Sequence, residues 1–440
     1  MTTLATTEAD LARALTRLYA LAPRGARYGL EAMREACAIE GDPHDRVAAV
    51  HVAGTNGKGS VCATVASIAR AAGLRVGLYT SPHLCRFAER IVLDGASIDD
   101  AVLARTLSRV MDAHPALTFF EVATLTAFLV FAEAKVDLAV IEVGLGGRLD
   151  ATNVLASPLV TAITSIALDH VDLLGADAIS IAREKAGISK PDAPVVVGAM
   201  SIDACHEIES IARSVGVASI DRVGVELSAG DESGGALTVR RTDGRSATIR
   251  PSLAGAHQRA NTAVAVGIAW RLEASGGVFT AIDASAIERG CAATSWPGRL
   301  ERLATADGEV VLDGAHNLEG AHALAAALGP LVGDRSAALI FGAMADKPHR
   351  QMIAALRDRF RSRTYVQPNA SGGGRRAADL ERLLEADPAG TTASDLEEAL
   401  AIARGSVGPS GVVVVAGSLY LVGEARSLLL GERRDPHVGL

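Results

Sequence analysis

Aromatic side chains are scarce in this sequence: Phe, Tyr and Trp make up 3% of its 440 residues. The hydrophobic share is still 49%, so buried cores must be built mostly from Ala, Val, Leu and Ile. Cysteine is sparse too. Cys37, Cys62, Cys85, Cys205 and Cys291 are odd in number and scattered, with no metal-site spacing. That argues against a disulfide framework and for reduced thiols in a cytoplasmic protein. Positive charge is not in excess: 43 Lys and Arg face 51 Asp and Glu, a net charge of −8. A general nucleic-acid binder is thereby disfavoured, and an anionic substrate must be met by local basic residues. No apolar run is long enough to span a bilayer, so no membrane partner is expected. The start, MTTLATTEADLARAL, lacks the basic segment and apolar core of a secretory leader. Repeats and low-complexity tracts are also missing, and the length predicts two or three domains.

What is present centres on HVAGTNGKGSV, His51 to Val61. An apolar run, Val47 to Val52, predicts a buried strand, and Val61 to Ala72 predicts an Ala-rich helix. Between them stand Gly54, Thr55, Asn56, Gly57, Lys58, Gly59 and Ser60. Strand, glycine loop and helix form the setting of a phosphate loop, with backbone N–H groups and the helix N-terminus turned toward an anion. Lys58 can reach the outer phosphates. The general pattern is met imperfectly: Val52 stands where its first glycine belongs, and Gly59 separates Lys58 from Ser60. The plain alternative is a glycine-rich turn with a surface lysine.

Further groups fall at predicted strand exits, where open α/β sheets bind ligands. Val76 to Tyr79 leads into TSPHL with Ser81, which could equally be a turn serine. Glu89 and Arg90 precede a strand at Ile91 to Leu93. Thr118 and Glu121 form a capping box for a helix from Phe119 to Ala132. Asp137 to Val143 is an apolar strand with one acid, Glu142, at its exit. A carboxylate there is costly unless paired or on a metal, which favours Mg²⁺ binding. Leu159 to Ile166 exits into Asp169 and His170. Lys185 lies in a charged helical run, Ile179 to Ala186, that composition alone would leave solvated. Val195 to Val197 reads as one more strand, and the polar, glycine-punctuated stretch from Ile220 to Arg250 as a small antiparallel sheet. A long helix carrying Asn261 follows. Pro297 and Gly298 mark a boundary, giving units 1–294 and 295–440. The second unit alternates strand and helix and presents DGAHN, GAMADK and GSLYL at strand exits.

The strings GTNGKGS, YTSPHL, ERI, EVGLGGRLDATN, SIALDH, REKAGI, HQRAN, WPGRLE, LDGAHN, ADK and GSLYL occur in one order along most of the chain. In this they resemble the folylpolyglutamate synthase/dihydrofolate synthase branch of the Mur ligase superfamily. The resemblance implies a P-loop-type N-terminal α/β domain with a small appended antiparallel sheet, and a smaller Rossmann-like C-terminal domain. It implies a cytoplasmic ligase that joins glutamate to dihydropteroate and to tetrahydrofolate and its polyglutamates, through an acyl phosphate made from ATP.

By position, Gly54, Thr55, Asn56, Gly57, Lys58, Gly59 and Ser60 resemble the phosphate cradle, and Asn261, Arg299 and Asp313 nucleotide contacts. Ser81, Glu142 and His170 resemble ligands of Mg²⁺, with two ions expected and room for a monovalent cation. Lys185 matches a lysine carried as a carbamate. Arg90, His316, Ser418 and Tyr420 resemble groups near the incoming glutamate. Arg27, Tyr28, Thr118, Leu149, Asp150 and Ala151 match the surroundings of dihydropteroate, and GGRLDATN resembles the loop of bifunctional members. A monomer is expected. The alternatives are polyglutamylation only, a peptidoglycan Mur ligase, or a nucleotide-binding relative without activity. About fifty residues before the phosphate loop leave little for the nucleotide-sugar domain of a peptidoglycan enzyme. An inactive relative should lack Lys58, Glu142 or His170, all of which are present.

Overall fold

The computed structural model describes residues 2–22, 29–169, 171–369 and 376–435. Eight strands make the first sheet: β1 (Ala49–Ala53), β2 (Val76–Tyr79), β3 (Ile91–Leu93), β4 (Ala96–Ser97), β5 (Leu138–Glu142), β6 (Val160–Ile163), β7 (Val195–Val197) and β8 (Ile220–Arg222). Their spatial order is β4-β3-β2-β5-β1-β6-β7-β8. All pairings are parallel except those of β3 with β2 and of β4 with β3. A mostly parallel sheet is covered on both faces, which is why β1, β2, β5, β6 and β7 are buried throughout. Side chains alternate along β5: Ala139 and Ile141 join one core, Leu138 and Val140 the other. The first core is closed by the helices Thr2–Tyr19 and Phe119–Ala134, the second by Lys58–Ala71 and Ala256–Ala274.

The second sheet is antiparallel and small: β9 (Leu227–Asp231), β10 (Leu237–Arg241) and β11 (Ser246–Ile249), in the order β11-β10-β9. Leu227, Leu237, Val239, Ala247 and Ile249 pack into the second core. The expected appended sheet is therefore present but shorter than Ile220 to Arg250. Ile220–Arg222 instead pairs parallel with β7 as the last strand of the main sheet. Asp221 explains this placement: its buried carboxylate takes Arg271 at 2.6 and 2.7 Å and Arg241 at 3.3 Å, partners far along the chain.

The third sheet has six strands: β12 (Glu301–Thr305), β13 (Gly308–Leu312), β14 (Ala337–Phe341), β15 (Ser362–Tyr365), β16 (Thr391–Thr392) and β17 (Val412–Ala416). Its order is β12-β13-β17-β14-β15-β16, parallel but for β12. The exits of β13 and β14 face the exits of β1 and β6. Asn317 Nδ2 donates to Asn56 Oδ1 at 2.9 Å, and Lys347 Nζ meets Asp169 Oδ1 at 2.5 Å. Among the described residues, no helix is long and apolar enough to cross a membrane.

Candidate active site

β1 ends at Ala53 and the chain turns through Gly54 (φ 148°) and Gly57 (φ 85°), conformations that glycine adopts without strain. Space forbids a side chain at either position. A Cβ on Gly54 would strike the Thr164 hydroxyl, and one on Gly57 the Asn261 amide. The exit of β6 holds the loop in shape. Thr55 N donates to Ser165 O (2.8 Å), Asn56 N to Ser165 Oγ (3.1 Å), and Thr164 Oγ1 to Asn56 O (2.6 Å). The helix Lys58–Ala71 starts directly behind, with Ser60 buried in its first turn. Lys58 folds back over the loop, its Nζ donating to Gly54 O at 3.0 Å and Thr55 O at 3.1 Å.

Lys185 arrives from the helix Ala178–Ala186 and is only 4% exposed, contrary to the solvated position its composition suggests. Its Nζ donates to Gly54 O at 2.9 Å. Burial, and then the neighbouring Lys58 charge, push its pKa down to about 7, against the pull of Asp169 and Asp150. The glycine loop after β5 supports this helix: Arg148 N donates to Glu184 O at 2.8 Å.

Glu142 closes β5 and is buried, its Oε2 accepting from Ser81 N at 3.1 Å. Burial pushes its carboxyl up to about 6, with Lys58 the largest opposing influence. The Ser81 hydroxyl beside it is buried without a hydrogen-bond partner. A lone hydroxyl next to a costly carboxylate suits a hard cation, and Mg²⁺ needs few protein ligands because phosphate and water complete its shell. His170 lies outside the described residues. Among the described residues, no three His, Cys, Asp or Glu side chains converge as a metal cluster.

The third sheet supplies the opposite wall. Asp313 accepts from Leu300 N (2.9 Å) and Ala315 N (3.0 Å), which fixes the turn carrying Arg299. His316 Nδ1 lies 2.8 Å from Gly314 O, and its Nε2 3.7 Å from Asp169. Ser418 caps the helix Leu419–Leu430 by accepting from Tyr420 N at 3.1 Å. Asn261 Nδ2 donates to Gln258 Oε1 at 3.0 Å. One cavity of about 350 Å³ brings together the phosphate loop, Ser81, Glu142, Lys185, Asn261, Arg299, Asp313, His316, Ser418 and Tyr420.

Other expected site residues do not line this cavity. Arg90 is fully buried between the rings of Phe87 and Phe119, 5.3 Å from each. Its Nε donates to His83 Nδ1 at 2.9 Å, while Nη1 and Nη2 have no partner. Thr118 caps the helix Phe119–Ala134 together with Glu121. Asp150 accepts from Leu145 N and Thr152 N, beside a half-buried Leu149 and a buried Ala151. Arg27 and Tyr28 lie outside the described residues.

Sequence reasoning assigned no role to Asn317, Lys347, Thr164 or Ser165. Asn317 and Lys347 stand inside the quoted strings LDGAHN and ADK, the one signal available for them. Ser165 likewise opens the quoted string SIALDH, whereas Thr164 carries no signal, since only its spatial pairing with the loop distinguishes it.

The Mur ligase middle domain family model matches residues 52–269, and the Mur ligase glutamate ligase domain model matches residues 298–419. The chain is 34% identical over 423 residues to a dihydrofolate synthase/folylpolyglutamate synthase of Bacillus subtilis, covering 92% of this chain and 96% of that protein. It is 37% identical over 415 residues to a probable bifunctional folylpolyglutamate synthase/dihydropteroate synthase of Haloferax volcanii. That alignment covers 91% of this chain and 48% of the relative, so the chain spans about half of that relative's length. Among solved structures, E. coli FolC in complex with DHPP and ADP superposes with a TM-score of 0.83 at 31% identity, covering 96% of this chain and 98% of that one.

Proposed function

Because the chain belongs to the Mur ligase family, in its folylpolyglutamate synthase/dihydrofolate synthase branch, we propose that it joins L-glutamate to dihydropteroate and adds further γ-linked glutamates to tetrahydrofolate. It is an ATP-dependent ligase that releases ADP and phosphate. A carboxylate is a poor acyl donor because its leaving group would be oxide. Transfer of the γ-phosphoryl group makes that leaving group phosphate, and the glutamate amine then attacks through a tetrahedral intermediate. Such chemistry asks the protein for positioning and charge neutralisation.

The carrying observation is the cavity between the first and third sheets that contains the phosphate loop. On one wall, Lys58 and Lys185 converge on the phosphate loop opposite Glu142 and Ser81. On the other stand Arg299, Asp313 and His316. In this reading Gly57, Lys58, Gly59 and Ser60 cradle the phosphates, and Asn261, Arg299 and Asp313 hold the nucleoside. Ser81 and Glu142, with His170, would hold Mg²⁺, which would supply charge neutralisation at the phosphates. His316, Ser418, Tyr420 and Arg90 receive glutamate, and Asp150 and its neighbours serve the pterin. Lys185, neutral above about pH 7, is suited to carry a carbamate. A monovalent cation belongs to the same reading.

Residues 1–294 and 295–440 act as two units closing on the substrates. The chain works as a monomer in the cytoplasm and binds no nucleic acid, a reading supported by five unpaired cysteines and a net charge of −8. Mass spectrometry of reactions with ATP, Mg²⁺ and glutamate tests this. Dihydropteroate should gain one glutamate residue, and tetrahydrofolate a ladder of them. Absence of any glutamylated product overturns the reading.

A further inference from the structure

His51 lies in the middle of β1, fully buried, three residues before Gly54 of the phosphate loop. A polar ring in the centre of a buried parallel strand needs a reason. Its Nε2 lies 2.8 Å from Thr152 Oγ1, and that hydroxyl lies 2.5 Å from Asp150 Oδ1. The hydrogen positions follow from chemistry. The Asp150 carboxylate already accepts from Thr152 N at 3.0 Å and, on its other oxygen, from Leu145 N at 2.9 Å. As a carboxylate it can only accept, so the Thr152 hydroxyl donates to it. The hydroxyl oxygen is then free to accept one proton, and the His51 Nε2–H supplies it. Nδ1 is left unprotonated, in keeping with its lack of any partner. Burial, and then Lys190, push the ring's pKa down to about 3, which keeps the ring neutral, and the hydrogen bonds then select this tautomer.

The far end of this chain of hydrogen bonds is a loop that matters. Asp150 closes residues 145–150 into a staple by holding Leu145 N. Gly144, Leu145 and Gly146 of that loop line the active-site cavity immediately after Glu142. Its other side reaches the Lys185 helix, through Arg148 N on Glu184 O and through Asn153 Nδ2, which bridges Arg148 O (2.9 Å) and Gly187 O (3.1 Å). The rigid strand β1 thus anchors, through one histidine, the loop that connects Glu142, Asp150 and the helix of Lys185.

We propose that His51 is a positioning residue for the pterin substrate: through Thr152 it holds Asp150 and the Gly144–Asp150 loop in the conformation that receives the pterin. This rests on the proposed ligation of glutamate to pterins. His51 itself touches no substrate.

Three substitutions separate this role from simple packing. Gln can place an amide N–H near the position of Nε2, Asn places one near Nδ1, and Leu supplies neither. His51→Leu should raise KM for dihydropteroate by about tenfold, with kcat and the KM values for ATP and glutamate nearly unchanged. His51→Gln should restore it and His51→Asn should not. Thr152→Val breaks the same link from its other end and should match His51→Leu.

Amide hydrogen exchange in the free protein supplies a readout without turnover. Leu145 and Thr152 N–H should exchange faster in His51→Leu and Thr152→Val than in the wild type or His51→Gln. If the wild type fails to turn over any pterin, the proposed function falls, and exchange alone then decides the staple. Unchanged exchange in both variants overturns the inference. So does faster exchange with an unchanged pterin KM, equal rescue by Asn, or a rise shared by all three substrates.

Discussion

Lys58 and Lys185 donate to the same acceptor, the carbonyl oxygen of Gly54, at 3.0 and 2.9 Å. One lysine belongs to the helix behind the phosphate loop and the other to a helix beyond β6, so two distant segments place their ammonium groups at one backbone atom. Like charges this close oppose each other, and the buried partner, Lys185, gives up its proton more readily.

Lys58→Ala should leave the fold intact and reduce ligation by at least about 10²–10³-fold, the scale on which a preorganised charge at a reacting group acts. Phosphate release and a thermal melt check it together. Turnover within tenfold of wild type, with an unchanged melt, would remove Lys58 from the phosphate site.

Lys185 sets a pH dependence. Its pKa is lowered from 10.5 to about 7, so the neutral amine that can add CO₂ exists above about pH 7 and is lost below it. Activity and a ¹³C carbamate signal from labelled CO₂ should fall together as pH drops through that value. Lys185→Ala should be inactive and partly rescued by short carboxylates. The linkage has a defined sign: the folded state binds this proton more weakly than the unfolded chain. The resulting deficit is complete below about pH 7 and disappears above about 10.5. Lys185→Met should therefore gain stability over wild type as pH falls across that window. A parallel pH dependence of the two melts would contradict the burial of the charge.

Gly147→Ala should act on Lys185 from behind. The new Cβ would lie 2.7 Å from Glu184 O and 3.0 Å from Lys185 Cα, both backbone atoms that cannot swing aside. Overpacking of this kind destabilises by about 1–3 kcal/mol. Gly405→Ala, in the helix Leu396–Val407 with nothing within 4 Å, is the control and should stabilise by about 0.5–1 kcal/mol. Equal melting shifts for the two would refute the close packing at Gly147.

Lys347→Met should open the molecule. The Lys347–Asp169 pair is 5% and 9% exposed and joins the third sheet to the first, and removing one partner of a buried pair costs about 3–5 kcal/mol. We expect a larger radius of gyration in small-angle scattering without nucleotide, and a lower kcat/KM. An unchanged radius and rate would show that this pair does not hold the two sheets together.

Much of this arrangement was legible in the sequence, for a physical reason. Parallel strands buried on both faces read as short apolar runs, so Val76 to Tyr79, Val195 to Val197 and Val412 to Ala416 match the observed strands, and the antiparallel Ile91 to Leu93 matches as an apolar run too. Strand exits read in the same way carry Ser81, Glu142 and Asp313. Pairings between distant segments were not legible. Lys347 meets Asp169 across 178 positions, Asn317 meets Asn56 across 261, and His51 meets Thr152 across 101. Nothing near any of these residues announces its partner. Ile220–Arg222 reads as part of the small sheet but joins the main one for the same reason, since the arginines that neutralise Asp221 lie beyond it in the chain.

The most direct test of the whole account is phosphate release with ATP, Mg²⁺ and glutamate, comparing dihydropteroate with tetrahydrofolate as the acceptor. Turnover with both is the predicted result. Turnover with tetrahydrofolate alone would contradict the dihydrofolate-forming activity and leave a polyglutamylating enzyme, and turnover with neither would contradict the folate ligase itself.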